Sequence, residues 1–340
     1  MKLTDFAKRL SDYLCLYLPN EKGFSRNTLC AYRDAYALFI TYMKDVKGIR
    51  AEKLTLSIIT QDTIISFLDW LQAERKCSNS TRNARLAAIH SFFRYLQYRH
   101  IDNMEEWQRI LSIPAKRAEA PSINYLSLDG IKLLLVQPRR NTSKGLRNLA
   151  LMSLMYDCGA RVQEIIDLTP SAINFNKPYT IRLYGKGNKG RIVPLMDAEA
   201  DILKEYMNKN HLLESYASNY ILFNNGQGKI LTRMAITKIL AKYAQQARNA
   251  DSSLIPEKVT PHVLRHSKAM HLLQAGVNLV YIRDFLGHTS ISTTEIYARA
   301  DSKLKRDALE KAYVETIGKK DNSIPAWMAD ADLLEWLKNF

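Results

Sequence analysis

The feature that most constrains this chain is a break in its periodicity. Residues 113–124, IPAKRAEAPSIN, combine two prolines, small residues and charges with no apolar repeat, the composition of an extended linker. Apolar residues recur at helical spacing on both sides of it. A chain of 340 residues is long enough for two domains of roughly 100–200 residues each. The break is therefore read as a boundary, giving a helical domain over 1–112, a linker over 113–124, a second domain over 125–318 and a tail over 319–340.

The spacing predicts helices over 6–18, 28–46, 60–75 and 78–99, with Leu29, Tyr32, Tyr36, Phe39, Ile40 and Met43 marking the inward face of the second. Ser25 stands where an N-cap for that helix belongs. In the fourth, Leu86, Ile89, Phe92, Phe93 and Leu96 face inward, while Arg82, Arg85 and Arg94 occupy the other faces. Those arginines read either as a solvated face or as a phosphate-contacting one. Beyond the linker, helical patterns return over 128–136 and 145–158. One β signal follows: YTIRLY (179–184) alternates, GKGNKG (185–190) is turn chemistry, and 191–195 resumes a strand. Helices are then expected over 197–209, 233–249 and 262–275, with shorter ones to about residue 318. The fold class is mainly α with a small β-sheet.

Composition narrows the function. The formal charge of +15 favours a polyanionic partner, because binding phosphates releases condensed counterions. A membrane surface would attract the same charge, but the basic residues are spread along the chain rather than gathered in one amphipathic anchor. No apolar run approaches the roughly 20 residues that span a bilayer, and the N-terminus alternates charge with apolar residues where a secretory signal needs an unbroken apolar block. A cytoplasmic location is expected. The four cysteines, Cys15, Cys30, Cys77 and Cys158, lack CxxC spacing, so neither a zinc site nor a disulfide framework is indicated. Cys158 reads as a core residue.

Four short elements in the second half carry chemistry. CGARVQE places Arg161 and Glu164 one helical turn apart, and the apolar residues flanking Arg161 suggest a partly buried guanidinium with its own ligand. The glycine-flanked hairpin carries Lys186 and Lys189 at its tip, where glycine permits close approach to DNA. HVLRHS sets His262 and Arg265 on adjacent turns of one helix face, suited to gripping phosphate oxygens. His266 is expected to point elsewhere and to pack or bond locally. LGHTSISTTEIY sets His288 and Tyr297 nine residues apart.

Each element is weak alone; their order and spacing are not. Arg161, Lys186, His262, Arg265, His288 and Tyr297 are separated by 25, 76, 3, 23 and 9 residues. With these flanking words the pattern resembles the tyrosine recombinase family, which includes Xer recombinases and phage-type integrases. The resemblance covers about residues 1–300, since the SxNTLxxY region is similar to the family's SAM-like core-binding domain. It implies a two-domain, C-shaped DNA clamp: a helical core-binding domain and a catalytic domain. It also implies that Tyr297 attacks the scissile phosphate to form a 3′-phosphotyrosyl bond, which conserves the phosphodiester energy without ATP. Arg161 and Arg265, with His262, would hold the non-bridging oxygens. His288 would donate a hydrogen bond or help accept the tyrosine proton, and Lys186, in preference to Lys189, would protonate the 5′-oxygen. Glu164 would orient Arg161. Arg82, Arg85, Arg94 and Lys189 are candidate DNA contacts.

The resemblance further implies no metal, no cofactor and no small-molecule substrate. The partner would be duplex DNA with an inverted-repeat core site, bound by a tetramer, for recombination or transposition. A type IB topoisomerase, whose chemistry uses related residues, is the alternative. The chain is expected to start almost directly at the core-binding domain, without an arm-type module. Its 43 residues after Tyr297 exceed the short tails of Xer-like members, and Ile324–Phe340 is a candidate helix for docking onto a neighbouring protomer.

Overall fold

The computed structural model describes residues 3–99, 103–118, 123–185 and 189–300, together with Glu335. The chain divides into two compact units, Met1–Pro121 and Ser122–Phe340. Helices dominate both, and a small sheet lies in the second.

The first unit contains α1 (Asp5–Asp12), α2 (Arg26–Asp45), α3 (Gln61–Ala73), α4 (Asn79–Arg99) and α5 (Met104–Leu111). The predicted first helix changes character halfway. After Asp12 it continues as a π-helix over Tyr13–Glu21 that contains Pro19, whose missing N–H and bulky ring disfavour a regular α turn. Ser25 caps α2, its hydroxyl accepting from the Thr28 N–H at 3.4 Å. The core is aromatic: Phe92 meets Phe6, Tyr13 and Tyr36 edge-on at centroid distances of 6.1, 5.2 and 5.4 Å, the favoured geometry for rings of opposed edge and face charge. Sequence periodicity did not reveal α5. Its buried Trp107 and Ile110 close the base of this core, and Glu106 accepts from the Gln61 N–H at the start of α3.

Arg82 requires a correction. It is 4% exposed, not on an open face of α4. Its guanidinium donates to Asn83 Oδ1 at 3.3 Å and to the Pro114 carbonyl at 3.5 Å. Asn83 holds the Lys116 backbone from both sides, and Asn79 donates to the Arg117 carbonyl. Arg82 thus lies beneath chain that α4 pins in extended form, because residues 114–117 have no ladder of their own and take their partners from the helix. Arg85 is partly exposed and donates to the Ala31 carbonyl at 3.1 Å, tying α4 to α2, whereas Arg94 is exposed.

The second unit contains α6 (Leu128–Leu135), α7 (Ser143–Asp157), α8 (Val162–Ile166), β1 (Ile173–Asn174), β2 (Thr180–Tyr184), β3 (Gly190–Pro194), α9 (Asp197–Lys209), α10 (Arg233–Ala250), α11 (Pro261–Gln274), α12 (Leu279–Leu286) and α13 (Ser292–Ala300). Helix α7 runs through its core, with Leu146, Leu151, Leu154 and Met155 fully buried. Each such side chain contributes roughly 1.5–3 kcal/mol of burial. The predicted hairpin is β2–β3, and a short β1, not foreseen, extends it to a three-stranded antiparallel sheet. Ile181 and Leu183 of β2 and Val193 of β3 point into the core. Cys158 is buried as expected, and Cys15, Cys30 and Cys77 are also free thiols. The tail candidate Ile324–Phe340 lies outside the described residues except for Glu335.

Candidate active site

The site is assembled at the C-terminal end of α12. A helix leaves its last carbonyls without intrahelical partners, and the dipole makes that end negative. Here three successive carbonyls are each claimed by a different arginine. Arg191 Nε donates to Phe285 O at 2.9 Å, Arg265 Nη2 to Leu286 O at 2.7 Å, and Arg161 Nη2 to Gly287 O at 2.8 Å. Gly287 ends the helix in the left-handed conformation, φ +66°, and a Cβ there would stand 3.0 Å from Arg191 Cδ and Nη1. Backbone conformation and the close guanidinium both demand glycine.

One carboxylate serves this arginine cluster. Arg161 is the N-cap of α8 and Glu164 the third residue of that helix, so the Glu164 carboxylate reaches back to the Arg161 N–H at 2.8 Å as in a capping box. It also accepts from Arg161 Nη1 at 3.0 Å and from Arg191 Nη1 and Nη2, each at 2.7 Å. Burial by itself would raise the Glu164 pKa; the bidentate Arg191 pair, its charge and the Arg161 contacts outweigh it and hold the carboxyl below its ordinary range. Glu164 thus contacts both the backbone N–H and the guanidinium of Arg161. Arg191, which sequence reading passed over, is the more complete partner.

Arg265 is 4% exposed, and its Nη1 donates to Gly159 O at 2.6 Å. Burial, then the charges of Arg161 and Arg191, lower its pKa to about 10. The cluster thus sets three guanidiniums against a single carboxylate, an electrostatic site for an anion. Arg161, the most open of the three, is 33% exposed. It lines a cavity of about 430 Å³ with Lys189, Arg191, Gly287 and His288. Lys189 is exposed, and its carbonyl accepts from the Gly185 N–H at 2.9 Å to close the hairpin. Lys186 lies outside the described residues.

His288 is half-buried, with Nδ1 bonded to Thr294 Oγ1 at 2.9 Å. Burial and the charges of Arg265, Arg161 and Arg191 push its pKa down to about 4. Its ring lies nearly parallel to that of Tyr297, at 6.4 Å and 13°. Tyr297 is 1% exposed and packs in a small apolar cluster with Met270, Ile282 and Leu286. Burial raises its pKa, partly opposed by Arg265 and Arg161. Its hydroxyl is bonded at 2.9 Å to Nδ1 of His266, which corrects the expectation that His266 points away from the site. His262 is exposed on the first turn of α11, with its ring 6.2 Å from that of His266. The fold thus brings Arg161, Glu164, Arg265, His288 and Tyr297 together. Among the described residues no cluster of His, Cys, Asp or Glu could hold a metal ion, and no helix is long and apolar enough to cross a membrane.

Known proteins share both sequence and fold. Residues 124–303 match the Phage integrase family, and residues 12–100 match the phage integrase N-terminal SAM-like domain. The chain is 34% identical over 284 residues to tyrosine recombinase XerC of Roseiflexus castenholzii, spanning 83% of this chain and 85% of that protein. It is 31% identical over 297 residues to tyrosine recombinase XerD of Listeria monocytogenes, spanning 87% and 95%. Its fold is similar to that of XerH site-specific recombinase in a post-cleavage complex with palindromic difH substrate, with a TM-score of 0.66, 23% identity, and coverage of 84% and 80%. The chain belongs to the phage integrase family: it is a tyrosine recombinase, an enzyme of site-specific DNA recombination. No similarity favours the topoisomerase alternative.

Proposed function

We propose that this enzyme cuts and rejoins DNA at a specific inverted-repeat site, with Tyr297 as the nucleophile and without metal or ATP. One observation carries the assignment: a buried tyrosine hydroxyl packs beside two histidines and a cluster of three arginines served by one carboxylate. Attack of Oη on the scissile phosphorus forms a 3′-phosphotyrosyl bond and releases a 5′-hydroxyl. Charge develops on the non-bridging oxygens in that transfer. Arg161, Arg265 and His262 stabilise it, and preorganised donors in a partly desolvated site do this better than water. Lys186 delivers the proton to the 5′-oxygen. Glu164 fixes the orientation of Arg161.

Arg85 and Arg94 of the first unit and Lys189 of the hairpin contact the DNA backbone, in keeping with the chain's excess of positive charge. The active assembly is a cytoplasmic tetramer on DNA, in which Ile324–Phe340 docks onto a neighbouring protomer. Its reaction serves recombination or the movement of a mobile element. The XerH structure, bound to a palindromic substrate after cleavage, supports the choice of DNA architecture. The test is selection of random-sequence duplexes by covalent trapping, followed by plasmid assays. A single recovered inverted repeat, cut at one phosphate per strand, is the expected result. Relaxation of any supercoiled plasmid without sequence preference would contradict the proposal.

A further inference from the structure

We propose that His266 takes the hydroxyl proton of Tyr297 when the tyrosine attacks, and returns it when the strand is rejoined. This rests on the reading of Tyr297 as the nucleophile.

A tyrosine hydroxyl needs a base at neutral pH, since its ordinary pKa is about 10, and burial makes Tyr297 a weaker acid still. Three histidines lie near enough to be considered. His288 presents the face of its ring to Tyr297, spends Nδ1 on Thr294, and is held to about 4 by burial and by Arg265, Arg161 and Arg191. Such an imidazole is a poor proton acceptor. His262 is exposed and stands one ring further away, against His266. His266 alone is bonded to the reacting atom, Nδ1 to Oη at 2.9 Å, with ring centroids 5.6 Å apart and planes inclined at 58°. That places the nitrogen in the hydrogen-bonding range required of a general base.

The surroundings of His266 keep it in the form that can accept. His262 and Arg265 face it from its own helix, Tyr297 from α13, and His288 from the segment between α12 and α13. Burial, then His262 and Arg265, lower its pKa and so favour the neutral imidazole; in the tautomer with its proton on Nε2, Nδ1 accepts from the tyrosine hydroxyl. A phosphodiester docked on Arg161 and Arg265 brings a negative charge that offsets the Arg265 field and strengthens the base as the reaction begins. In cleavage the Oη–H bond breaks with its proton passing to Nδ1, the Oη–P bond forms, the bond from phosphorus to the 5′-oxygen breaks, and that oxygen receives a proton from Lys186. Rejoining runs the same steps backwards, with His266 as the acid that protonates the departing Tyr297.

The test uses the full-length enzyme and a nicked duplex carrying the inverted repeat that the wild type cuts, with a 5′-bridging phosphorothiolate at the scissile position. Sulfur leaves without a proton, so single-turnover formation of the covalent complex reads only the nucleophile's proton transfer. His266→Asn keeps a hydrogen-bond acceptor near the position of Nδ1 but cannot take a proton. The proposal expects H266N and H266A to slow the step by about 10²–10³-fold, with DNA affinity within twofold of wild type. It also expects the wild-type rate to level off above the His266 pKa, while the H266N rate keeps climbing to pH 9. An H266N rate within threefold of wild type across pH 6–9 would reduce His266 to a positioning hydrogen bond and overturn the proposal. A faster H266A would overturn it in favour of a restraint on the tyrosine. Should the variants fold poorly, the wild-type profile decides alone, because a rate that rises to pH 9 without levelling contradicts a histidine base. Tyr297→Phe in the same assay tests the nucleophile separately: covalent complex from that variant would sink the reading of the site, whatever His266 does.

Discussion

Replacing Arg191 with methionine removes the principal partner of a carboxylate that is 2% exposed, while keeping much of the side-chain volume. Glu164 loses two 2.7 Å bonds and retains only Arg161, itself one-third exposed. Breaking a buried ion pair on one side costs about 3–5 kcal/mol, because the remaining charge stays desolvated. The pH dependence identifies the cause. In the wild type, burial raises the Glu164 pKa, Arg191 and Arg161 more than offset this, and the folded-state value lies below the ordinary 4.5. Such a group contributes stability above its unfolded pKa and loses it as pH falls through the folded value. In Arg191→Met burial prevails, the folded value rises above the ordinary one, and the penalty grows as pH climbs past it. The stability difference between the two proteins should be small near pH 4 and reach about 3–5 kcal/mol by pH 7. Cys158, a fully buried thiol of the same unit, provides the assay: pulsed maleimide labelling across a urea series, quantified at that peptide by mass spectrometry. With a slope of about 2–3 kcal/mol per molar urea, the midpoint should fall by about 1–2 M at pH 7. An unchanged midpoint at pH 7, or an equal shift at pH 4 and pH 7, would refute the reasoning.

Three further outcomes follow from the same structure. Glu199, buried beside Ser153, has its pKa raised by burial to about 8 despite accepting from the Ser153 hydroxyl. Its cost to the fold therefore grows as pH rises from about 4.5 to 8, and Glu199→Gln should stabilise the protein at pH 9 by at most about 5 kcal/mol, seen as a raised melting temperature there and hardly any change at pH 5; equal gains at both would exclude titration as the cause. Lys186→Ala should slow cleavage of an ordinary phosphodiester by about 10²-fold or more yet leave the 5′-phosphorothiolate substrate largely active, and equal loss on both substrates would remove the lysine from the acid role. Deleting residues 320–340 should weaken assembly of the tetramer on two DNA sites more than binding to one, as read by gel shift; undiminished assembly would disprove docking in trans.

How much of this was legible in the sequence depends on the range of the interactions. Helical periodicity marked α2, α3, α4, α9 and α10 because each buries a stripe against a core, and α7 stood out as a longer apolar segment that is buried on all sides. It missed α5, whose inward face is marked only by Trp107 and Ile110 among charged and polar neighbours, and the two-residue β1, which pairs only because β2 lies beside it. Ordered spacing brought out Arg161, Arg265, His288 and Tyr297, and the fold does gather them. The contacts of His266 were not readable, since nothing in HVLRHS says that α13 packs against that side of α11. Arg191 did leave a signal: in GRIVPL a period of two places it on the same face as the buried Val193 and Leu195. An arginine on an inward face needs a carboxylate, and Glu164 was already in view. Arg82 misled because a charged residue in a basic helix was read as surface, while the chain that covers it comes from 32 residues downstream.

The central claim is that Tyr297 carries the covalent chemistry. It is tested most directly by trapping the wild-type enzyme and Tyr297→Phe on a nicked suicide substrate and sequencing the DNA-linked peptide by mass spectrometry. The account predicts one adduct, a 3′-phosphate on Tyr297, and none from the phenylalanine variant, with DNA affinity nearly unchanged. An adduct on any other residue, or a covalent complex surviving the substitution, would contradict it.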